Sequence, residues 1–248
     1  MASAVVWWGH STVLIEIDGA RFLTDPLLRR RLVHITRRAP AVDPTALGRI
    51  DAVLISHAHR DHLDLPTLRS LGGGVPVIAP RGAARHLRGL GDVHELEAGA
   101  SLTLRGTKLT ATPAVHTAMR GGRRIPALGY LIGPDVYFAG DTDLFDAMAA
   151  LAPLRLALLP VWGYGPSLGP GHLDPARAAD ALALLRPRMA VPIHWGTYFP
   201  AYRGLRGHRL LTEPPLDFAR RAAEIAPDVR VVVLRPGERL ELSSPAPG

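Results

Sequence analysis

The sequence of 248 residues contains no cysteine. This absence excludes a disulfide framework, a thiolate metal site and a thiol nucleophile. Any metal ion that the protein binds must therefore be held through nitrogen and oxygen atoms. The same absence removes one whole class of hydrolytic mechanism, in which a cysteine attacks the substrate.

The sequence also lacks an apolar stretch suited to a transmembrane helix. Its longest uncharged segment, residues 156–173, contains Pro160, Pro166, Pro170 and four glycines, which disrupt a helix that spans a bilayer. The first eight residues carry no basic side chain, so they do not resemble the start of a secretory signal peptide. We therefore expect a cytoplasmic protein without a transmembrane segment.

The charge of the chain is one-sided, with a formal net charge of +7. Lys108 is the only lysine, so almost all of the basic side chains are arginines. Arginines are dense in residues 29–38, without the interleaved aromatic residues of a platform for single-stranded nucleic acid. A solvated loop is the favoured interpretation of this segment, and a rim that binds anions is the alternative.

Short β-rich runs alternate with helical patterns along the chain, which predicts a layered α/β architecture. We expect one domain over residues 1–242 and a disordered tail over residues 243–248. Predicted strands cover residues 5–8, 12–17, 20–24, 52–56, 75–79, 108–112, 127–132, 136–139, 155–160, 190–193 and 229–234. Predicted helices cover residues 65–71, 81–90, 144–151, 175–185 and 215–225; the last but one begins at Asp174-Pro175, a favourable helix start.

The central feature is a cluster of ionisable residues directly after the apolar strand at residues 52–56. The cluster consists of His57-Ala58-His59-Arg60-Asp61-His62. Three histidines and one aspartate in six residues cannot all point into an apolar core, and imidazoles with carboxylates are ligands of zinc, manganese and iron. His57 and His59 are two residues apart, so in extended backbone they leave on the same face and can reach one ion.

Three further candidate ligands follow apolar strands in the same way. They are His116, Asp141 and His194. Taken alone, His116 or His194 is better explained as a surface or hydrogen-bonded core residue. Together with the cluster at residues 57–62, all four segments are predicted to meet at one edge of the fold and to form a metal site.

The HxHxDH pattern of residues 57–62 resembles the metallo-β-lactamase superfamily, and the resemblance covers nearly the whole chain. It implies an α/β fold, a four-layer αββα sandwich, with two divalent metal ions. Zinc is favoured, and manganese and iron are alternatives. Carried over by position, the resemblance implies that one metal is held by His57, His59 and His116, the other by Asp61, His62 and His194, and that Asp141 bridges both.

Within that superfamily the chain is most similar to the branch of N-acyl phosphatidylethanolamine phospholipase D and the L-ascorbate 6-phosphate lactonases. Four local matches carry this similarity: Trp8-Gly9-His10-Ser11, Leu23-Thr24-Asp25-Pro26, His172-Leu173-Asp174-Pro175 and Ile193-His194-Trp195-Gly196-Thr197. The best-known metallo-β-lactamases place a cysteine at the second metal, which this chain lacks. The segment around His116 also lacks the glycine-flanked histidine of glyoxalase II-like enzymes, so thioester hydrolysis is disfavoured.

The resemblance implies a metal-dependent hydrolase that attacks its substrate with a metal-activated hydroxide. A phosphodiester-type substrate is favoured, either a small molecule or a lipid headgroup. A lactonase that acts on a phosphorylated sugar lactone is the alternative, and a nuclease ranks below both because the domain of the RNA-processing relatives is missing. We expect no obligate nucleic acid, and a homo-oligomer is compatible with the sequence.

Four residues are predicted to have roles other than metal binding, and one of them, Asp61, is also a predicted ligand. Asp61 is predicted to orient the attacking hydroxide or to pass its proton to the leaving group. His172 follows a Gly/Pro-rich stretch suited to lining a pocket, so it binds the substrate or protonates a leaving group, unless it merely orients the following helix start. His10 and Asp25 are predicted to hydrogen-bond to the metal ligands, and capping of the turn at Pro26 is the other explanation for Asp25.

Overall fold

Two seven-stranded sheets form the centre of the molecule. The computed structural model describes residues 3–165, 167–203 and 208–242, so the tail predicted at residues 243–248 lies outside the described residues. The strands are β1 (Ser3–Gly9), β2 (Thr12–Ile17), β3 (Ala20–Thr24), β4 (Arg31–Leu32), β5 (Ile35–Arg37), β6 (Ala52–Leu54), β7 (Val77–Pro80), β8 (Val93–Leu96), β9 (Ser101–Leu104), β10 (Thr107–Arg120), β11 (Arg123–Ile132), β12 (Val136–Phe138), β13 (Leu154–Pro160), β14 (Pro187–Ile193), β15 (Tyr198–Pro200), β16 (Arg230–Val231) and β17 (Arg239–Leu242).

Each large sheet has an antiparallel half and a parallel half. The first sheet has the order β17-β1-β2-β3-β6-β7-β8, and its strands from β3 to β8 are parallel. The second sheet has the order β16-β14-β13-β12-β11-β10-β9, and its strands from β12 to β16 are parallel. A small third sheet joins β15, β5 and β4. The parallel halves bring the carboxyl ends of several strands to one edge, where α/β folds place their sites.

Three apolar clusters divide the molecule into four layers. The cluster between the sheets contains Trp7 and Ile15 of the first sheet with Tyr130 and Leu158 of the second. A second cluster joins the outer face of the second sheet to two helices, and a third covers the outer face of the first sheet. This arrangement is the predicted αββα sandwich, which is confirmed.

In the part of the chain that the structure describes, three α-helices flank the sheets: α1 (Leu65–Ser70), α2 (Pro175–Leu185) and α3 (Glu213–Ile225). The bounds of α2 are those predicted, because the Asp174 side chain accepts a hydrogen bond from the Arg177 backbone amide and Pro175 occupies the first turn. Residues 65–71 and 215–225 are also confirmed as helical, to within two residues at each end. In the ranges described, no helix is both long and apolar enough to cross a membrane.

The α-helix predicted over residues 81–90 is wrong. The structure has only a short 3-10 turn there, Ala84–His86. The Glu95 carboxylate accepts hydrogen bonds from the backbone amides of Gly82 (2.8 Å) and Ala84 (2.7 Å). Gly82 and Gly89 also adopt positive φ angles of 91° and 82°, which an α-helix does not accommodate.

The helical segment predicted over residues 144–151 is confirmed in part. It is a 3-10 helix, Asp146–Leu151. The Asp143 side chain accepts a hydrogen bond from the Leu144 amide (2.7 Å), and Phe145 is extended with φ −152°, so the helix begins two residues later than predicted.

The strand prediction found the central strands and missed several at the edges. Strands β4, β5, β8, β9, β15 and β17 were not predicted, and the hairpin of β10 and β11 is much longer than residues 108–112 and 127–132 suggest. The strand predicted at residues 229–234 is reduced to β16. Most of the missed strands are short or carry exposed charged residues, so their local pattern is weak.

The arginine-rich segment is not uniformly solvated, which corrects the favoured interpretation for two of its residues. Arg37 is 7% exposed and donates hydrogen bonds to the backbone carbonyls of Pro40 (2.8 Å), Trp8 (2.5 Å) and Leu27 (3.3 Å). Arg29 donates to the buried carboxylate of Asp64 (2.7 Å). Arg37 thus connects the loop to β1, which leads into His10, and Arg29 connects it to the start of α1.

We predict that Arg37→Met lowers the free energy of unfolding by about 2–4 kcal/mol, because buried carbonyls lose a charged hydrogen-bond donor. Arg38→Met is the matched control, since the Arg38 side chain is exposed, and it should change stability by no more than about 0.5 kcal/mol. Urea unfolding measures both. Equal stability of the two variants would contradict the structural role of Arg37.

Candidate metal centre

The predicted ligands lie at the ends of parallel strands. The loop after β6 carries His57 to His62, the loop after β12 carries Asp141, and His194 directly follows β14. Because β6 belongs to the first sheet and β12 and β14 to the second, the two sheets meet at these three loops. The structure therefore brings together side chains that are up to 137 residues apart, from His57 to His194, as the sequence predicted.

His116 reaches the same place by a different route. The pairing of β10 with β11 changes register between Pro113 and Thr117, so the strand is irregular where His116 leaves it. The Val115 amide donates to the Thr142 hydroxyl (2.9 Å), and the Asp143 amide donates to the Val115 carbonyl (3.1 Å). This irregularity turns the side chain out of the sheet toward the loop that contains Asp141.

One group of imidazoles is formed by His57, His59 and His116. Nε2 of His57 lies 3.0 Å from Nδ1 of His59, which lies 3.2 Å from Nε2 of His116. Ligands at about 2.0–2.1 Å from a tetrahedral zinc ion lie roughly 3.3–3.4 Å from one another. These three nitrogen atoms therefore have the spacing of one face of a metal coordination shell.

A second group consists of Asp61, His62 and His194, with His10 beside them. Nε2 of His62 lies 3.2 Å from Nε2 of His194 and 3.6 Å from Oδ2 of Asp61. These atoms have the same close spacing as the first group. They fit a second divalent ion bound by two nitrogens and one oxygen.

The Asp141 carboxylate lies between the two groups. Its Oδ2 is 3.8 Å from Nε2 of His57 and 3.4 Å from Nε2 of His62, and its Oδ1 is 3.3 Å from Nε2 of His194. Oδ1 is buried and has no hydrogen-bond partner among the described residues. A buried carboxylate oxygen without a partner is costly, and a metal ion on either side satisfies it.

In four of the imidazoles, those of His57, His62, His116 and His194, the outward-facing Nδ1 has an oxygen partner. Nδ1 of His116 donates to the Gly171 carbonyl (2.9 Å), and Nδ1 of His194 donates to the Trp162 carbonyl (2.6 Å). Nδ1 of His62 is 2.7 Å from Oδ2 of Asp25. With the proton held at Nδ1, the lone pair of each of these four rings lies at Nε2 and points into the centre, which is the tautomer that binds a metal.

Asp25 reaches two of these histidines. Besides His62, its carboxylate accepts hydrogen bonds from the backbone amide of Ser56 (2.7 Å) and from the Ser56 hydroxyl (2.5 Å). Because that hydroxyl donates its single proton to Asp25, it accepts a hydrogen bond from Nδ1 of His57 at 2.9 Å. One fully buried carboxylate thus orients His57 and His62, one from each group.

His10 contacts the second group from behind. Its Nε2 lies 3.1 Å from Oδ2 of Asp61, its ring lies 4.0 Å from that of His194, and its amide donates to the Thr197 hydroxyl (2.6 Å). The His10 carbonyl accepts from the His194 amide (2.9 Å). The segments around residues 10 and 194, which the sequence analysis singled out separately, are therefore in direct contact.

Burial keeps most of these imidazoles uncharged. It lowers the pKa of His57 and His59, that of His116 to about 4 and that of His194 to about 3. At neutral pH the four rings are therefore in the unprotonated form that metal binding requires. Burial alone explains the direction, because a buried cation loses its hydration.

His62 is the exception. Burial lowers its pKa, but the carboxylates of Asp141, Asp61 and Asp25 together raise that pKa well above its ordinary value. In turn, the nearby histidines hold the pKa of Asp61 and Asp141 below the usual range, against the effect of burial. The carboxylates therefore give the centre a negative charge that favours a bound cation. A divalent ion neutralises more of this charge than one proton on His62 does.

Three site residues adopt a backbone conformation that L-residues rarely occupy. The φ angles are 53° for His10, 35° for Asp25 and 63° for His194. Such residues persist where the surrounding structure holds them, and they cluster at functional sites. Gly140, next to Asp141, has φ 60°, and a Cβ there would lie 2.5 Å from Cβ of Ser56. Only glycine lets the loop of Asp141 approach the loop of His57.

A cavity of about 550 Å³ opens over the centre. His59, Asp61, Asp141, His172 and His194 lie in its wall together with Gly163, Tyr164 and Gly165, so the Gly/Pro-rich stretch does line a pocket, as predicted. His172 is one quarter exposed, with Nε2 at 3.6 Å from Oδ2 of Asp141 and Nδ1 at 3.1 Å from the Gly169 carbonyl. Its free nitrogen faces the cavity side of the centre.

Two residues of the site were not identified from the sequence. Ser56 was treated as the last residue of a strand, and only the fold shows that its hydroxyl links Asp25 to His57. Tyr164 was part of the pocket stretch without a role of its own. The pKa of Tyr164 is raised to about 12, mainly by the negative charge of Asp61 and then by burial and by Asp141. Its hydroxyl therefore stays protonated and remains a hydrogen-bond donor.

Comparison with known proteins places this geometry in a family. Residues 20–195 match the Beta-lactamase superfamily domain. A UPF0173 metal-dependent hydrolase of Methanopyrus kandleri is 31% identical over 253 residues, which cover 96% of this chain and 99% of that protein. A protein of Mycobacterium tuberculosis is 34% identical over 269 residues, 98% of this chain and 69% of that protein. The structure of Igni18, a metallo hydrolase from Ignicoccus hospitalis, superposes with a TM-score of 0.76 at 26% identity and covers 98% of this chain and 99% of its own.

The fold and the cluster of histidines and aspartates are thus those of a metallo-β-lactamase-type protein. The chain belongs to the metallo-β-lactamase superfamily and, within it, to the UPF0173 metal-dependent hydrolase family. This membership confirms the predictions of the superfamily and of a hydrolase.

We predict that Asp25→Asn weakens the binding of zinc or manganese by about 10–100-fold, the range expected for a hydrogen-bond partner of metal ligands. The substitution removes the acceptor that orients His62 and Ser56. Competition with a chelating indicator measures the affinity, and Asp18→Asn, in the exposed turn between β2 and β3, is the control. Equal affinities for the two variants would exclude the orienting role.

Proposed function

We propose that the protein is a dinuclear metal-dependent hydrolase of phosphodiester-type substrates. The observation that carries this proposal is the convergence of seven side chains whose inward atoms have the spacing of metal ligands. In this proposal one ion is bound by His57, His59 and His116, the other by Asp61, His62 and His194, and Asp141 contacts both. Zinc suits the nitrogen-rich set best, and manganese or iron also suits it.

Two divalent ions supply a lowered pKa for bound water and polarise an oxygen of the substrate, so that no side chain needs to act as the nucleophile. The contribution of the chain is to fix the geometry. Asp25 and Ser56 orient ligands of both groups, and the carbonyls of Gly171 and Trp162 hold two further rings. Orientation of this kind lowers the reorganisation that the reaction requires.

The charge of the centre favours an anionic substrate over a neutral one. Two divalent ions would bring about four positive charges, whereas the carboxylates of Asp25, Asp61 and Asp141 bring three negative charges. The net positive charge attracts a phosphodiester, which carries a negative charge at the reacting group, more strongly than a lactone. This argument supports the phosphodiester side of the resemblance to N-acyl phosphatidylethanolamine phospholipase D, and lactone hydrolysis is the alternative.

Asp61 lies in the cavity wall, and His10 contacts it from behind at Oδ2. In our proposal the Asp61 carboxylate would accept a hydrogen bond from the attacking water and orient it, and His10 holds the carboxylate in place. His10 then acts through Asp61 and has no contact with the substrate. The Asp61 carboxylate is 12% exposed, enough to face the cavity while it remains fixed by its neighbours.

His172 is proposed to assist the departure of the leaving group. Its Nδ1 donates to the Gly169 carbonyl, which leaves Nε2 directed toward Asp141 and the cavity. In this role a protonated His172 donates a proton from Nε2 to the oxygen of the leaving group. From the same position Nε2 also contacts the bound anion. The hydrogen bond to Gly169 fixes the orientation of the ring.

Asp141→Asn tests the metal centre. We expect phosphodiester hydrolysis to fall by at least about 100-fold, with less bound metal per chain, because the shared carboxylate is lost. Hydrolysis of bis(4-nitrophenyl) phosphate, measured together with metal content after loading with zinc or manganese, gives the result. Asp146→Asn, an exposed substitution in the following 3-10 helix, is the control. Metal-dependent hydrolysis of lactones alone would replace the phosphodiester assignment.

His172→Gln tests the leaving-group role. We expect kcat to fall by about 10²–10⁴-fold for a diester with an alkoxide leaving group, the range of general acid catalysis. The loss should be much smaller for a 4-nitrophenolate leaving group, which departs without protonation. His94→Gln, far from the cavity and paired with Asp92, is the control. Equal losses for both leaving groups would show that His172 is not the general acid.

A further inference from the structure

We propose that Arg60 forms a binding subsite for a second anionic group of the substrate, separate from the group that reacts. The proposal rests on the proposed function, because it places the reacting group at the metal centre. Arg60 occupies the second of the two unspecified positions of the HxHxDH segment, and it lies in the wall of the cavity beside His59 and Asp61. Its side chain is exposed at that wall.

The carboxylates near Arg60 are engaged elsewhere. Asp61 turns inward to His10, at 3.1 Å. Asp64 accepts from Arg29 at 2.7 Å and from the amide and hydroxyl of Thr67 at 3.1 and 2.7 Å. Within the part of the chain that the structure describes, no carboxylate forms an ion pair with Arg60. Its guanidinium is therefore free to bind an anion from solution.

A second guanidinium lies close to the first. Arg120, at the end of β10, also lines the cavity. It donates hydrogen bonds to the carbonyls of Ala58 (3.0 Å) and Leu63 (2.8 Å), so it ties the tip of the long hairpin to the loop that carries Arg60. Burial and the charge of Arg60 lower the pKa of Arg120, in that order. Two cations from different elements thus repel each other at the cavity wall, and a bound anion relieves that repulsion.

The remaining lining of this side of the cavity limits the ligand. Met119, next to Arg120, is 59% exposed, and Val33 is 65% exposed; both lie in the cavity wall. The acidic residues of the wall, Asp61 and Asp141, both face the histidines. The subsite therefore fits a carboxylate or phosphate group that is joined to the reacting group by a short apolar chain.

Binding of non-hydrolysed probes tests the subsite without relying on turnover. The probes are ω-carboxyalkylphosphonates with two to five methylene groups, each compared with the alkylphosphonate of the same length that lacks the carboxylate. Calorimetric titration of the zinc-loaded protein gives the affinity ratio of each pair. For the best-fitting length we expect the carboxylate to improve affinity by about fivefold, the size of one exposed ion pair, and to improve it less at high salt.

Arg60→Gln should bring this ratio close to one, and Arg60→Lys should restore part of it. Arg69→Gln, an exposed arginine on α1 outside the cavity, is the matched control and should keep the full ratio. A ratio near one in the unsubstituted protein at every length, failure of both probe series to bind, or an undiminished ratio in Arg60→Gln would each overturn the proposal. Loss of the ratio in Arg60→Gln without any diester hydrolysis would support the subsite and reject the proposed function alone.

Discussion

The close approach of imidazole nitrogens and carboxylate oxygens in a buried space is the constraint on which the site depends. Nitrogen atoms of His57, His59 and His116 lie 3.0 and 3.2 Å apart, and those of His62 and His194 lie 3.2 Å apart. The lowered pKa values of His57, His59 and His116 leave these rings unprotonated, so their facing lone pairs repel, and burial removes the water that weakens this repulsion. A cation at the point where the lone pairs meet turns the repulsion into attraction, so the arrangement is explained by metal binding.

The fold makes this approach possible because the parallel strands of both sheets end at the same edge of the molecule. β6 in the first sheet and β12 and β14 in the second end at the centre, and apolar packing between the sheets fixes their distance. The hydrogen bonds to Nδ1 of four rings, those of His57, His62, His116 and His194, then fix the orientation of these rings. Asp25 is the most connected of these partners, since it contacts His62 directly and His57 through Ser56. Its positive φ angle is a local strain that the network offsets.

The sequence predicted the parts of this structure that rest on local patterns. Histidines and aspartates that directly follow apolar strands indicated the positions that meet in the fold. The dipeptide Asp174-Pro175 indicated the start of α2. Contacts between distant segments were not predictable. The Glu95 carboxylate accepts hydrogen bonds from the amides of Gly82 and Ala84 and so holds the turn at Gly82, whose φ angle of 91° an α-helix does not accommodate. Arg37 looked like a solvated side chain, because the three carbonyls that bury it belong to separate loops and strands.

The same distinction applies within the centre. The motif identified His57 through His62 as one unit, but only the fold shows that Arg60 faces the cavity whereas Asp61 turns inward. Ser56 was hidden for a similar reason, since a serine at a strand end carries no signal of its partners.

Anomalous diffraction from crystals soaked with zinc or manganese tests the central claim most directly. The account predicts two peaks per chain, one among His57, His59 and His116 and the other among Asp61, His62 and His194, with Asp141 between them. A single peak, or peaks away from these side chains, would contradict a dinuclear centre.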